Sequence, residues 1–280
     1  MARGVKDGIV AAPADPAQLK PATSARIYDF FLGGTHNFPA DRDAAKDIAQ
    51  RFPLTAALAR NNRAFLRRSV RHIAAAGVTQ FLDIGSGVPT EGNVHEIAAE
   101  VTADARVVYV DIDPVAVSES LEILDGHDRI TAILGDLRDP QAILANPRVR
   151  GLLDFGQPVA LLLNAVLHFV PDDTQARKAV ADLVSVLAPG SYLAVSHVSI
   201  DGQPIDDGDL EFVEDTYRRQ TATPFQPRSR ERIAEFFTGL ELIEPGLVWL
   251  PQWRPAPGDP TDFTADPPTS SALAGIGRRP

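Results

Sequence analysis

From Val78 to about residue 199, short apolar runs alternate with longer stretches whose apolar residues recur at helical spacing. The runs QFLDI (80–84), ARVVYVD (105–111), RITAIL (129–134), PVALLLN (158–164) and SYLAVSHVS (191–199) contain few polar residues, as expected of strands covered on both faces. Between them, Val94, Ile97, Ala98 and Val101 repeat at helical intervals, and DTQARKAVADLVSVL does the same over 173–187. Strands and helices in alternation predict an α/β chain with an open, mainly parallel sheet and helices on both faces.

The flanks are different. Residues 1–20 mix Ala, Pro, Asp and Gly without periodicity and read as a disordered leader. Residues 21–76 form a predicted helical segment. It has a short apolar-aromatic helix broken at Gly33-Gly34, a second helix from about Pro39, and a third marked by Leu58, Phe65, Leu66, Val70 and Ile73. The glycine break, with Tyr28, Asp29, His36 and Asn37 around it, reads equally as a helix C-cap and as a lid over a ligand. Most of the third helix's arginines, Arg60, Arg63, Arg67, Arg68 and Arg71, read as solvated, since they spread over its remaining faces. The sheet domain is expected over 77–253. Its later part holds a polar linker, helical stretches near 212–217 and 230–237, and a strand-turn-strand candidate in LELIEPGLVWLPQW that closes at Pro245-Gly246. Over 254–280 Pro, Asp and Gly dominate, and an irregular tail is expected.

Composition narrows the classes. With 280 residues, 44% of them hydrophobic, the chain can bury a sizeable core. A net charge of −10 disfavours a broad nucleic-acid or anionic-membrane surface. The absence of cysteine excludes disulfides and thiolate metal sites and agrees with a cytoplasmic location. No apolar run approaches the ~18 residues of a membrane span. The paired acids Asp172-Asp173 and Asp206-Asp207 lack a recognisable ligand spacing, so no metal is expected.

The chemistry gathers at the strand ends. QFLDIGSGVPTEG runs from an apolar strand into Asp83 and then into Gly85-Ser86-Gly87, where glycine permits a tight turn and close ligand approach. A dinucleotide site would continue G-x-G-x-x-G, but Thr90 stands in place of the third glycine. Asp83 would also repel phosphates, whereas a phosphate-free ligand with an ammonium and a sulfonium would be attracted to it. S-adenosylmethionine has that constitution. Asp111 ends the second strand about 25 residues beyond the turn, where an acid meets ribose hydroxyls in this architecture. Asp113, before Pro114, reads mainly as a helix N-cap. Gly135-Asp136-Leu137 and Asn164 end the third and fourth strands at the same edge.

This order of sites resembles the class I S-adenosylmethionine-dependent methyltransferases. The combination of Ser24–Asp29, Leu32-Gly33-Gly34, Asn37-Phe38, Ala59-Arg60, Asn62-Arg63, Phe65-Leu66, Arg68, Gln80–Gly85 and Gly92–Glu96 looks like one bacterial family of predicted members, formerly a domain of unknown function. The resemblance spans about residues 21–253. It implies a Rossmann-like fold with a seven-stranded sheet and an N-terminal lid, and S-adenosyl-L-methionine as cofactor. It places Asp83, Gly85 and Gly87 beside the methionine portion, Asp111 at the ribose, Asp136 and Leu137 at adenine, and Asn164 under the sulfonium, with Ser86 and Ile112 also at the cofactor. Tyr28, Gly33 and Gly34 would close over the cofactor.

Methyl transfer needs alignment and dryness, and a base only where the acceptor must lose a proton. His168 and His197 are the candidate catalytic residues near the ligand edge. Asn164-Ala165-Val166-Leu167 lacks the Asn-Pro-Pro-aromatic arrangement of enzymes that methylate amide or exocyclic amino nitrogens. With the acidic balance, this points to a small-molecule acceptor and away from nucleic acid. A protein that binds the cofactor as a sensor, without catalysis, stays open as the alternative. The sequence fixes no oligomeric state.

Overall fold

The computed structural model describes residues 21–88, 92–202, 208 and 224–280. The predicted leader, the predicted helix near 212–217 and the Asp206-Asp207 pair lie outside these residues. Five parallel strands fall where the apolar runs predict them: β1 (Gln80–Ile84), β2 (Arg106–Asp111), β3 (Ile130–Leu134), β4 (Ala160–Asn164) and β5 (Tyr192–Val198). Their order is β3-β2-β1-β4-β5. The chain therefore leaves β1 first toward one side and then toward the other, and a crevice opens beyond the carboxyl ends of β1 and β4.

Alternation along each strand splits the core in two. Leu82, Ile84, Val108, Val110, Leu161 and Leu163 point to one face, against Ile143, Val149, Val180 and Leu183 of the connecting helices α6 (Pro140–Ala145), α7 (Pro147–Leu152) and α8 (Asp173–Ser185). Phe81, Val107, Tyr109, Ala160 and Leu162 point to the other, against Phe65, Val70 and Ile73 of α3 (Thr55–Ala75) and against Val94 and Ile97 of α4 (Val94–Ala99). A run apolar at every position is what burial on both faces requires. The remaining crossover helix, α5 (Pro114–Ile123), starts at Asp113, whose side chain accepts the Val115 N–H at 2.9 Å as the N-cap reading expects.

The N-terminal helices α1 (Ser24–Phe31) and α2 (Pro39–Arg51) have a small core of their own with α3: Ile27, Phe31, Ala44, Ala45, Ile48 and Ala59. One buried cation ties them to the sheet. Arg26 donates to Asp41 at 2.9 Å and to Asp113, just after β2, at 2.7 Å. The pair at Gly33-Gly34 serves the helix end: the Gly33 and Gly34 N–H groups cap α1 on the carbonyls of Phe30 and Asp29. A Cβ on Gly34 would lie 1.9 Å from the Asp29 carboxylate.

The C-terminal region departs from expectation. Residues 254–280 are not an irregular tail, because Ala272–Arg278 form β8, antiparallel to β5 along seven residues. The far edge of β8 pairs with β6 (Glu241–Leu242) at one end and with β7 (Val248–Trp249) at the other. The predicted strand-turn-strand pair thus adds to β8 in tandem rather than pairing with itself, and the described residues give eight strands where seven were expected. The strand was hidden by Gly275 and Gly277, which depress strand propensity. They are small for a reason: a Cβ on Gly277 would stand 3.0 Å from Leu240 and Phe237. Phe236 and Phe237 follow α9 (Arg230–Ala234) in a short 3-10 turn and pack in the same core.

The segment before β8 is held by arginines of α3 that sequence pattern assigned to solvent. Arg68 is buried, binds Asp259, and donates to the carbonyls of Trp253 at 2.7 Å and Leu250 at 3.0 Å. Arg60 reaches Asp262 at 3.2 Å and Arg67 reaches Asp259 at 3.3 Å. Among the described residues no helix is long and apolar enough to cross a membrane.

Candidate functional site

A cavity of about 530 Å³ lies over the carboxyl ends of the parallel strands. Its floor is Asp83, Gly85, Ser86 and Gly87 after β1, Asp111 and Ile112 after β2, Asp136 and Leu137 after β3, Asn164 after β4 and His197 on β5. The predicted site residues therefore converge, with His168 and Tyr28 also in the lining. Gly33 and Gly34 are the exceptions: they lie away from the cavity and shape the end of α1, so the C-cap reading describes them and the lid contact does not. The roof is one face of α1 (Ser24, Ile27, Tyr28, Phe31) and one face of α3 (Leu58, Ala59, Asn62, Arg63, Leu66). Phe263 and Ser270–Ala272, from the region expected to be an irregular tail, form a further wall.

Each glycine of the turn after β1 has its own cause. Gly85 has φ +77, and a Cβ there would lie 2.3 Å from the Val166 side chain. Val166 is brought over it by the left-handed turn at Ala165, φ 52. Gly87 has φ +70 and donates its N–H to Asp111 Oδ2 at 2.7 Å. The other Asp111 oxygen accepts the Asp113 N–H at 2.8 Å. Burial raises the Asp111 carboxyl, these backbone bonds partly offset it, and its pKa lies at about 6. Asp83 is raised further, to about 7: burial dominates, the Arg63 charge opposes it, and Asp111 adds to it. Asp136 is clasped by Arg138, whose Nη2 lies 2.6 Å away. Burial raises that carboxyl as well, but the bonds from Arg138 outweigh it and hold the group below its ordinary range.

The other end of the cavity is neutral. His197 donates from Nδ1 to the Val198 carbonyl at 2.7 Å and accepts from Arg228 at Nε2, 3.0 Å. Both ring nitrogens are occupied within the protein, and burial, with the Arg228 charge, depresses its pKa to about 3. The expectation that His197 removes a substrate proton fails on that geometry, since no lone pair is left. His168 is also buried, perpendicular to His197 at 5.4 Å between ring centres and against Phe169 and Phe225. Burial, then His197 and Arg228, push it well below its ordinary value. Among the described residues its Nδ1 has no hydrogen-bond partner, and neither amide atom of buried Asn164 has one.

The roof is pinned to this floor. Asn62 donates to the Tyr28 hydroxyl at 3.0 Å and accepts from Ser196 Oγ at 2.5 Å, and Ser196 Oγ in turn accepts the Ala165 N–H at 3.0 Å. Tyr28 donates to the Ala59 carbonyl at 3.1 Å. One chain of bonds thus runs from α1 through α3 to the ends of β5 and β4.

The model of the S-adenosyl methyltransferase family matches residues 11–280. The chain belongs to this family. Like its other members it is an S-adenosylmethionine-dependent methyltransferase. A Thermobifida fusca YX protein of known crystal structure is 37% identical, with a TM-score of 0.85, over 96% of this chain and 99% of that one. A DUF574 family protein from Streptomyces avermitilis MA-4680 is also 37% identical at a TM-score of 0.85, over 94% of this chain and 100% of that one. No curated protein matches significantly.

The methyltransferase's cavity passes a chemical test for its cofactor. A buried carboxylate raised to about 7 is stabilised by a ligand cation, and S-adenosylmethionine carries two. Orphaned amide atoms on Asn164 require a polar ligand group to satisfy them. Residues that sequence pattern passed over, Phe263 and Ser270–Ala272, had no signal of their own. They reach the site through β8 and through the ion pairs on α3. Among the described residues no group of three or more His, Asp or Glu is placed to hold a metal ion.

Proposed function

We propose that this methyltransferase binds S-adenosylmethionine across the ends of β1–β3 and transfers its methyl group to a small, uncharged, largely apolar acceptor held over the ends of β4, β5 and β8. In this reading Asp83 receives the ammonium, with Gly85, Ser86 and Gly87 beside the methionine chain. Asp111 and Ile112 meet the ribose, and Leu137 meets adenine. Asp136 is engaged by Arg138, so its part at adenine is to fix the loop rather than to offer a free carboxylate. Asn164 lies under the sulfonium, and Tyr28 closes the lid from α1.

The observation that carries the reading is the pair of unsatisfied groups, Asn164 and His168 Nδ1, facing one cavity whose walls on that side include Val166, Phe169, Phe225 and Phe263. Among the described residues on that side a charged acceptor would find no counter-ion, because Arg228 spends its guanidinium on Asp173, His197 and the carbonyls of Leu167 and Val170. The cofactor supplies an activated methyl group on a cationic sulfur. The chain aligns the acceptor, excludes water and offers His168 Nδ1 as a hydrogen-bond partner for its O–H or N–H. With its pKa so depressed, His168 would orient that group without keeping its proton, which would pass to solvent when the neutral thioether product leaves.

Methyl-labelled S-adenosylmethionine incubated with the protein and a cell extract, followed by separation into low-mass, protein and nucleic-acid fractions, tests this. Label in the low-mass fraction is expected. Label confined to protein or nucleic acid would overturn the small-molecule acceptor.

A further inference from the structure

As the N-cap of α5, Asp113 needs one carboxylate oxygen, and it uses Oδ1, which accepts the Val115 N–H at 2.9 Å. The other oxygen is held from the N-terminal helices. Asp113 Oδ2 accepts from Thr23 Oγ1 at 2.6 Å and from Arg26 Nη1 at 2.7 Å. Arg26 is buried and fixed on its remaining sides: Nε donates to Asp41 at 2.9 Å, Nη2 donates to the Pro21 carbonyl at 2.5 Å, and the guanidinium lies over the Phe38 ring, 5.1 Å from its centre. Asp41 in turn accepts the Thr23 and Phe38 N–H groups at 3.0 and 2.7 Å. A buried network of this kind holds its members in one geometry. The same turn carries the acid of the cofactor site. The Asp113 N–H donates to Asp111 Oδ1 at 2.8 Å, while the Gly87 N–H holds Oδ2 at 2.7 Å. Among the described residues the backbone bonds to Asp111, from Gly87, Ile112 and Asp113, are fewer than the about four acceptor sites of a carboxylate, and Asp111 lines the cavity.

We propose that Arg26 is a positioning residue for the cofactor's ribose: gripping Asp113 from α1, it holds the Asp111–Asp113 turn so that the Asp111 carboxylate is aligned for the vicinal hydroxyls. The proposal rests on the placement of the ribose at Asp111 given under Proposed function. It gives one helix two tasks. Ile27, Tyr28 and Phe31 of α1 roof the cavity, and Arg26, next to them in the chain, sets an acid on the floor through Asp113. A binding group is effective only when the residues behind it lock its orientation, and here that support comes from the roof. By linkage, ribose hydroxyls on Asp111 favour the docked position of α1 as much as docked α1 favours the hydroxyls.

Titration calorimetry with S-adenosylhomocysteine and its 2′,3′-dideoxy analogue tests it. The wild-type protein should prefer the hydroxylated probe by about 10–100-fold, the range for hydrogen bonds to a charged group. Arg26→Met should cut that preference to about threefold or less. Thr23→Val removes the other donor to Asp113 Oδ2, leaves Arg26 in place, and should cut the preference in part, by about threefold. A merely structural role would loosen α1 and weaken both probes by one factor, with the preference intact. That result, in whichever variant folds, would overturn the proposal and leave the ribose where it is. Should Arg26→Met fail to fold, Thr23→Val decides alone. A wild-type protein indifferent to the hydroxyls would remove the ribose from Asp111, and the proposal with it. If neither probe binds, the placement of the whole cofactor falls.

Discussion

The two ends of the cavity both bury titratable groups, and they do so with opposite consequences. At the β1–β3 end, Asp83 and Asp111 are raised to about 7 and about 6. At the β4–β5 end, His197 is depressed to about 3 and His168 also lies well below its ordinary value. Burial favours the neutral form in every case, but for a carboxyl that form holds a proton and for an imidazole it does not. An Asp whose folded pKa exceeds its unfolded one contributes stability that is present below about pH 4 and lost as pH rises through about 7. A His with a depressed folded pKa contributes stability that is present above about pH 6.5 and lost as pH falls toward about 3. The first end is thus strained at neutral pH until a cation arrives, whereas the second is relaxed at neutral pH and has no need of one. In the proposed reading, that contrast divides cofactor from acceptor.

The largest way to break the contrast is at Arg228, which underpins the neutral end. Its guanidinium serves the Asp173 carboxylate, the His197 ring and the carbonyls of Leu167 and Val170. Arg228→Leu should lower stability by about 3–5 kcal/mol in urea unfolding, because it leaves the carbonyls of Leu167 and Val170 and the His197 ring buried without their donor. S-adenosylhomocysteine affinity should change by less than about threefold in the protein that remains folded. A large loss of affinity would mean that the two ends are not separable.

Asp83 carries the next effect. Asp83→Asn keeps the shape and removes the charge, so S-adenosylmethionine affinity should fall about 100-fold, the scale of a charge-assisted bond in a buried site. The same change should stabilise the ligand-free protein above pH 7 by up to about 4 kcal/mol, because the cost of ionising a buried carboxyl disappears. Below pH 4 the gain should vanish, since the wild-type carboxyl is then protonated in both the folded and the unfolded protein. Calorimetry and thermal melts at pH 4 and 8 check both halves. Tighter binding by the variant would exclude a cation at Asp83.

The carboxylate end was legible in the sequence because its acids and glycines follow unbroken apolar runs, so strand ends and chemistry announce each other. The neutral end was not. Ala272–Arg278 carries two glycines whose purpose, room for Phe237 and Leu240, exists only after folding. Arg68 looked solvated because its partner Asp259 stands 191 residues away. His197 looked like a base because nothing near it in sequence names Arg228, 31 residues on. Gly33-Gly34 read equally as a cap and as a lid because helix caps and ligand loops use the same residue. Local pattern reports elements and their ends; partners brought together by the sheet lie beyond its reach.

A smaller effect sharpens the comparison by pH. With Asp83 at about 7, binding of the ammonium of S-adenosylhomocysteine must release a proton below that pH. Affinity should therefore rise about tenfold per unit from pH 5 to 7 and level off above it. In Asp83→Asn the slope should disappear. A wild-type profile flat from pH 5 to 8 would show that the carboxylates are ionised before the ligand binds.

The smallest change in stability is expected at His168, where it has the most to say about the acceptor. Its ring packs against Phe169 and Phe225 while Nδ1 lacks a partner, so His168→Phe fills the same space and removes a buried unsatisfied atom. Stability in urea should rise by about 1 kcal/mol or stay unchanged, and S-adenosylhomocysteine affinity should hold within about twofold. Transfer of label from methyl-labelled cofactor to the low-mass fraction should nevertheless be lost, because the atom that orients the acceptor is gone. A loss of more than about 2 kcal/mol would instead mean that the imidazole is held as part of the core, as His197 is. Retained labelling would move the acceptor away from His168 and toward Asn164, the other unsatisfied group on that floor.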